Sequence, residues 1–172
     1  MDACMPVVID YGTVQLNPHF RAPAEILPAP SLQQIKALQD IVGAAPQVEC
    51  PVEHFFSPGM YTRKFTAPAE TIVVGKMHRH QHPTFLLSGT VRINTDRGME
   101  EITGPHIWIS QPNAKRALYT VTECVFATVH HNPTDTTDLD AIEAEVIVSE
   151  SQIEYEPQDA AFLTDAVQGV YA

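Results

Sequence analysis

Cysteine is scarce in this chain, and the three that occur, Cys4, Cys50 and Cys124, are odd in number and share no short metal-type spacing. A disulfide framework is therefore not expected, and reduced thiols in a cytosol are. Positive charge is also in short supply, since ten Lys plus Arg stand against 21 Asp plus Glu, giving a formal net charge of −11. Broad attraction to a nucleic-acid backbone or an anionic membrane is disfavoured, so neither is expected as a partner. No apolar run approaches the roughly 18 residues of a membrane span. The start Met1-Asp2-Ala3-Cys4-Met5-Pro6 has no basic stretch leading into an apolar one, which predicts a soluble protein without a signal peptide. Internal repeats and low-complexity tracts are absent. So are a Ser-His-Asp order, a Cys-His pairing, a phosphate-binding loop and a dinucleotide fingerprint, which leaves nucleophilic and nucleotide-hydrolysing schemes without a named nucleophile.

What the chain does have is histidine, concentrated. Three of its eight histidines alternate in Gly75-Lys76-Met77-His78-Arg79-His80-Gln81-His82-Pro83. In an extended strand residues two apart share a face, so this spacing predicts His78, His80 and His82 side by side. Neutral imidazole is the commonest nitrogen ligand for first-row metals, and the run reads as half of a metal site. The competing reading is a polar strand with no ion.

The 172 residues fit one domain with an extra arm. Prolines crowd residues 1–59, where Pro18, Pro23, Pro28 and Pro30 interrupt regular structure, and this segment reads as a Pro-rich N-terminal arm. It contains one helix over residues 32–42. Ser31 and Gln34 form a capping-box pattern, and Leu32, Ile35, Leu38, Ile41 and Val42 mark an apolar face that ends at Gly43. From Met60 the texture changes to short apolar runs between turn residues, which predicts an all-β domain over 60–132. The strands are expected near Met60–Phe65, Thr71–His78, Thr84–Leu87, Thr90–Asn94, Glu100–Thr103, His106–Ser110, Lys115–Thr120 and Cys124–His130. So many short strands point to a small closed barrel or jelly roll. Residues 133–172 form an acidic C-terminal segment, with a short helix near Asp138–Val146 and a weakly structured tail from 147.

The glycine, the His-rich strand end, the apolar strand closing on Leu87-Ser88-Gly89, and a second block Gly104-Pro105-His106-Ile107-Trp108-Ile109-Ser110-Gln111-Pro112 together resemble the cupin superfamily over roughly residues 60–131. The resemblance implies a cupin-like jelly-roll, or double-stranded β-helix, barrel. In cupins the first block supplies two histidines and an acid seven residues before the closing glycine, where this chain has His82. The second block supplies a further histidine, where this chain has Lys115 and Arg116. The run Ser110 to Arg116 with Tyr119, Ala127-Thr128-Val129-His130 and Asp140 to Val146 is similar, more narrowly, to small cupin-like proteins carried by tailed bacteriophages. That implies a viral context, in the host cytoplasm or the virion, and no particular reaction.

A fourth ligand is available at the end of the last expected strand. Parity on Cys124, Phe126, Thr128 and His130 gives a more polar inner face than Val125, Ala127, Val129 and His131, so His130 is the candidate and His131 the alternative. His106 is weaker, and His19 and His54 are left out. The expected set is His78, His80, His82 and His130. Without a carboxylate it favours a divalent transition metal, Zn, Ni, Co, Fe or Cu, over Mg or Ca. Lys115 and Arg116, with Tyr119 and Trp108, form a second constellation suited to an anion and a planar ring. Three functions remain open: a metal-binding accessory protein for a small ligand, anionic or nucleotide-like; a structural homo-oligomer assembled through the arm and helix; and a metal-dependent oxygenase, isomerase or hydrolase.

Overall fold

Alternating burial marks several segments from residue 59 onward, and facing sheets are the structure that uses it. The computed structural model describes residues 28–155 and the backbone of 7–10. Its strands are β1 (Val7–Asp10), β2 (Val52–Ser57), β3 (Gly59–Ala67), β4 (Thr71–Val74), β5 (His82–Ser88), β6 (Thr90–Thr95), β7 (Gly98–Thr103), β8 (His106–Ser110), β9 (Ala117–Thr120) and β10 (Cys124–Asn132). They form two five-stranded sheets, in the orders β1-β4-β9-β6-β7 and β2-β3-β10-β5-β8. Every pairing is antiparallel. From β3 to β10 the chain passes repeatedly from one sheet to the other, which is the jelly-roll arrangement. The expected all-β barrel is present.

The two inner faces meet in one core. Phe65, Leu86 and Phe126 from the second sheet pack with Val73, Val91 and Ile93 from the first. The Phe65 and Phe126 rings stack with centres 5.0 Å apart. Each such buried side chain contributes about 1.5–3 kcal/mol relative to exposure. Between β5 and β6 the chain turns at Gly89, with φ +92°, where an added Cβ would lie 2.2 Å from the Glu123 carbonyl oxygen.

Helix α1 (Leu32–Gly43) begins at Ser31, whose hydroxyl accepts from the Gln34 amide while the Gln34 side chain accepts from the Ser31 amide. Its Ile35 and Val42 are buried against Val74 and Ala117, on the face of the first sheet turned away from the core. The arm is less separate than the sequence suggests, because β1 pairs with β4 and β2 pairs with β3. The second sheet thus begins at Val52 rather than Met60. Flanking Pro51 and Pro58, with Glu53 and His54 between, disguise β2 in the sequence.

Helix α2 (Leu139–Val146) starts at Asp138, whose carboxylate accepts from the Asp140 and Ala141 amides. It seats Ile142 and Val146 on Tyr61 of β3. The residues just after it are not a loose tail: the Val148 amide donates to the Met77 carbonyl at 2.9 Å, and Ile153 is buried. Ile147, Val148 and Ile153 supply the apolar anchors that composition alone understates. The expectations about Cys4, Pro18, Pro23, His19 and the tail over 156–172 lie outside the described residues. Cys50 and Cys124 are buried free thiols, and burial pushes Cys124 up to about 11. No helix among the described residues is long and apolar enough to cross a membrane.

Candidate metal centre

Three of the four expected ligands come together. His78, His82 and His130 each offer a ring nitrogen, and these nitrogens all lie within 4.8 Å of one another. The ring centres are 4.3 Å apart for His78 and His82, 4.6 Å for His82 and His130, and 5.1 Å for His78 and His130. An ion held at about 2.0–2.1 Å places each ring centre about 3.2 Å away, hence about 4.5 Å from its neighbour at right angles and about 5.2 Å at tetrahedral angles. Two of the observed spacings fall within that range, and the 4.3 Å between His78 and His82 lies just below it.

The alternation argument that singled out these histidines does not hold, however. Strand β4 ends at Val74, and residues 75–81 carry the chain from the first sheet to the second, so no strand spans His78 to His82. His78 makes an isolated bridge to Ile147, whereas His82 opens β5. His80 is therefore released from the face it was expected to share. It is exposed, outside the cluster, with Nε2 3.5 Å from Glu145 of α2. His130 reaches the site because Phe126, Thr128 and His130 share the inner face of β10, and it is buried while His131 is exposed.

Each clustered ring is also held by a polar contact. His82 Nδ1 donates to the His80 carbonyl at 3.1 Å, His130 Nε2 lies 2.9 Å from the Thr128 hydroxyl, and His78 bonds to the Lys76 carbonyl. Such partners fix the tautomer and aim the remaining nitrogen. Burial, then the neighbouring His82 and His130, pushes His78 down to about 2. Burial, then His82, pushes His130 down to about 3. Burial also lowers His82. All three are neutral near pH 7, the protonation state a metal requires. No carboxylate joins the group among the described residues. The donor set thus fits Zn, Ni, Co, Fe or Cu, and three protein ligands leave a position for an outside molecule.

The second constellation separates. Trp108 and Arg116 both line a cavity of about 300 Å³ with Asp96, Glu100 and His106, between β6–β7 and β8. Arg116 there donates to the Asn94 carbonyl at 2.8 Å and to Asp96 at 3.3 Å. Lys115 turns elsewhere: its side chain is 2% exposed, with Nζ 2.6 Å from Glu150. Tyr119 is held in register between Ile72 and Arg92, on the face of the first sheet away from the core. Lys115 and Arg116, just before β9, thus turn to different partners and do not serve one ligand together.

The sequence reading missed Tyr61 and Arg63. On β3 they stand opposite His130 and Thr128 respectively, on the inner face. The Tyr61 ring stacks with His130 at 6.1 Å, and its hydroxyl lies 2.7 Å from His54 Nδ1. The signal was available in the parity Tyr61, Arg63, Phe65, a cation between two aromatic residues.

No protein-family model matches the chain, and no curated protein does either. Solved structures similar to it include an RmlC-like cupin from Shewanella frigidimarina, at 13% identity and TM-score 0.43 over 53% of this chain and 80% of that one. Ectoine synthase from P. lautus is similar at 13% identity and TM-score 0.45, over 63% and 86%. A cupin superfamily protein from Desulfitobacterium hafniense is similar at 11% identity and TM-score 0.42, over 63% and 98%.

Proposed function

We propose that this chain is a metal-binding, cupin-like accessory protein whose His78, His82 and His130 hold one divalent transition ion and present it to a small molecule inside the barrel. The observation that carries the reading is the convergence of three neutral imidazoles at ion-sharing distances, each also held by a polar contact. A bound ion supplies Lewis acidity and lowers the pKa of a water on it. The sequence resemblance to small phage cupin-like proteins supports a role during infection, in the host cytoplasm or in the virion.

Elemental analysis tests the reading. Protein stripped with chelator, re-equilibrated with zinc or cobalt and desalted is expected to keep about one ion per chain. His82→Ala and His130→Ala are expected to keep almost none, and His80→Ala to match wild type. A wild type as empty as His82→Ala rejects the centre.

A second reading, self-assembly, is favoured by the outer face of the second sheet. Ile107 and Ile109 of β8 are 61% and 49% exposed, and Leu87, Met60 and Phe55 are exposed on the same sheet. Large apolar side chains exposed on one sheet face are a feature of interaction surfaces. Sedimentation is expected to give a dimer or larger species for wild type and a monomer for the Ile107→Lys, Ile109→Lys double variant. A monomeric wild type rejects it.

A further inference from the structure

The inner face of the second sheet contains a cation, Arg63, with no counter-charge among the described residues. Its inward positions run Val52, His54 and Phe56 on β2, Tyr61, Arg63 and Phe65 on β3, Phe126, Thr128 and His130 on β10, His82, Thr84 and Leu86 on β5, and His106, Trp108 and Ser110 on β8. None is Asp or Glu, in a protein that carries 21 of them. The Arg63 guanidinium lies over the Phe65 ring, 5.0 Å from its centre, and makes no hydrogen bond or ion pair among the described residues. Its nitrogens are also not sealed away, because the one orphaned buried polar side-chain atom among the described residues is Gln33 Oε1.

Arg63 sits one inward position from the metal cluster. Thr128 faces it across the β3–β10 ladder, and Thr128 is the residue whose hydroxyl touches His130. Successive inward positions are about 7 Å apart along a strand. The charge of Arg63 is felt at both His78 and His130. Thr84 and Ser110, whose hydroxyls are 2.9 Å apart, line the same face with further polar groups.

We propose that Arg63 receives the anionic end of the small molecule served by the histidine cluster, and that this molecule is a small carboxylate. The assignment rests on the metal-binding reading above and adds the class of ligand to it. A single planar fork with hydroxyls beside it matches the two oxygens of a carboxylate, and a lone lysine would not. Phe65 and Phe126 form an apolar floor beside the guanidinium.

Full-length protein loaded with cobalt is titrated calorimetrically with acetate, oxalate, succinate and phosphate, and with acetamide and oxamide as uncharged counterparts, while the cobalt absorption bands are followed. A carboxylate is expected to bind and shift the bands, and its amide is not. Arg63→Gln is expected to weaken binding about 30-fold or more with cobalt content unchanged, and Arg63→Lys to fall between. Circular dichroism of both variants separates a lost contact from a lost fold. Equal binding by Arg63→Gln, equal binding of the amide, a preference for phosphate, or no binding of any carboxylate overturns the assignment. If cobalt does not bind, the metal reading falls by itself; the same titrations on ion-free protein then decide Arg63, for which carboxylate binding lost in Arg63→Gln sustains it and absent binding overturns it.

Discussion

Stripped of metal, the protein is expected to melt about 8–16 °C below a sample saturated with zinc or cobalt. Free ion at a thousand times its dissociation constant stabilises the folded state by about 4 kcal/mol. In a chain of this size each kcal/mol moves the midpoint by about 2–4 °C. The effect depends on pH in a defined direction. Burial lowers His78, His82 and His130 below the ordinary imidazole value, so below about pH 6.5 the unfolded chain takes up protons that the folded chain refuses. Stability of the stripped protein is therefore flat above that pH and falls as acid is added, by up to about 1.4 kcal/mol per pH unit for each ring, the contributions of His78 and His130 continuing until those folded rings protonate near pH 2–3. An ion holding the rings delays that loss to lower pH. Calorimetric scans at pH 7.5, 6 and 5 with and without metal would show the gap; equal midpoints at every pH would remove the ion from the account of stability.

Gly89→Ala is expected to be the most damaging single methyl group in the chain, costing more than about 4 kcal/mol. The new Cβ would meet the Glu123 carbonyl oxygen at 2.2 Å and Cys124 Cα at 2.8 Å, both of them backbone, so no side chain can swing aside. The turn also holds φ at +92°, a conformation that a Cβ opposes. Gly43→Ala is the control, with nothing within 4 Å of the added atom, and its effect should stay within about 1 kcal/mol. Urea midpoints of the two variants measure the difference. A Gly89→Ala protein as stable as Gly43→Ala would show that the close approach of this turn to the start of β10 is not a requirement of the fold.

Much of the architecture was legible because its cues are local. Ser31 and Gln34 announce α1 three residues apart, and β8 and most of β6 can be read from apolar alternation between turns. The centre was half legible. The run His78 to His82 drew attention for a reason that is wrong in detail: a crossover between sheets looks like a strand when polar residues alternate by chance, and so His80 was included. Nothing in the sequence says that β4 stops at Val74, because that is decided by where the first sheet ends. Arg63 was missed because a cation in a short strand ordinarily faces water. Only the register with Thr128 turns it inward. Lys115 was misread as a companion of Arg116, since its partner Glu150 lies 35 residues further on and contact at that separation leaves no local trace.

The distribution of the three rings along the chain sets an order of events during synthesis. His78 and His82 are made early and flank a crossover, but the ring that completes their group arrives with the final strand, which is pinned between β3 and β5. A nascent chain halted before β10 holds only a loose pair of imidazoles. On the metal-binding proposal, an ion would therefore be captured only once β10 has joined the barrel.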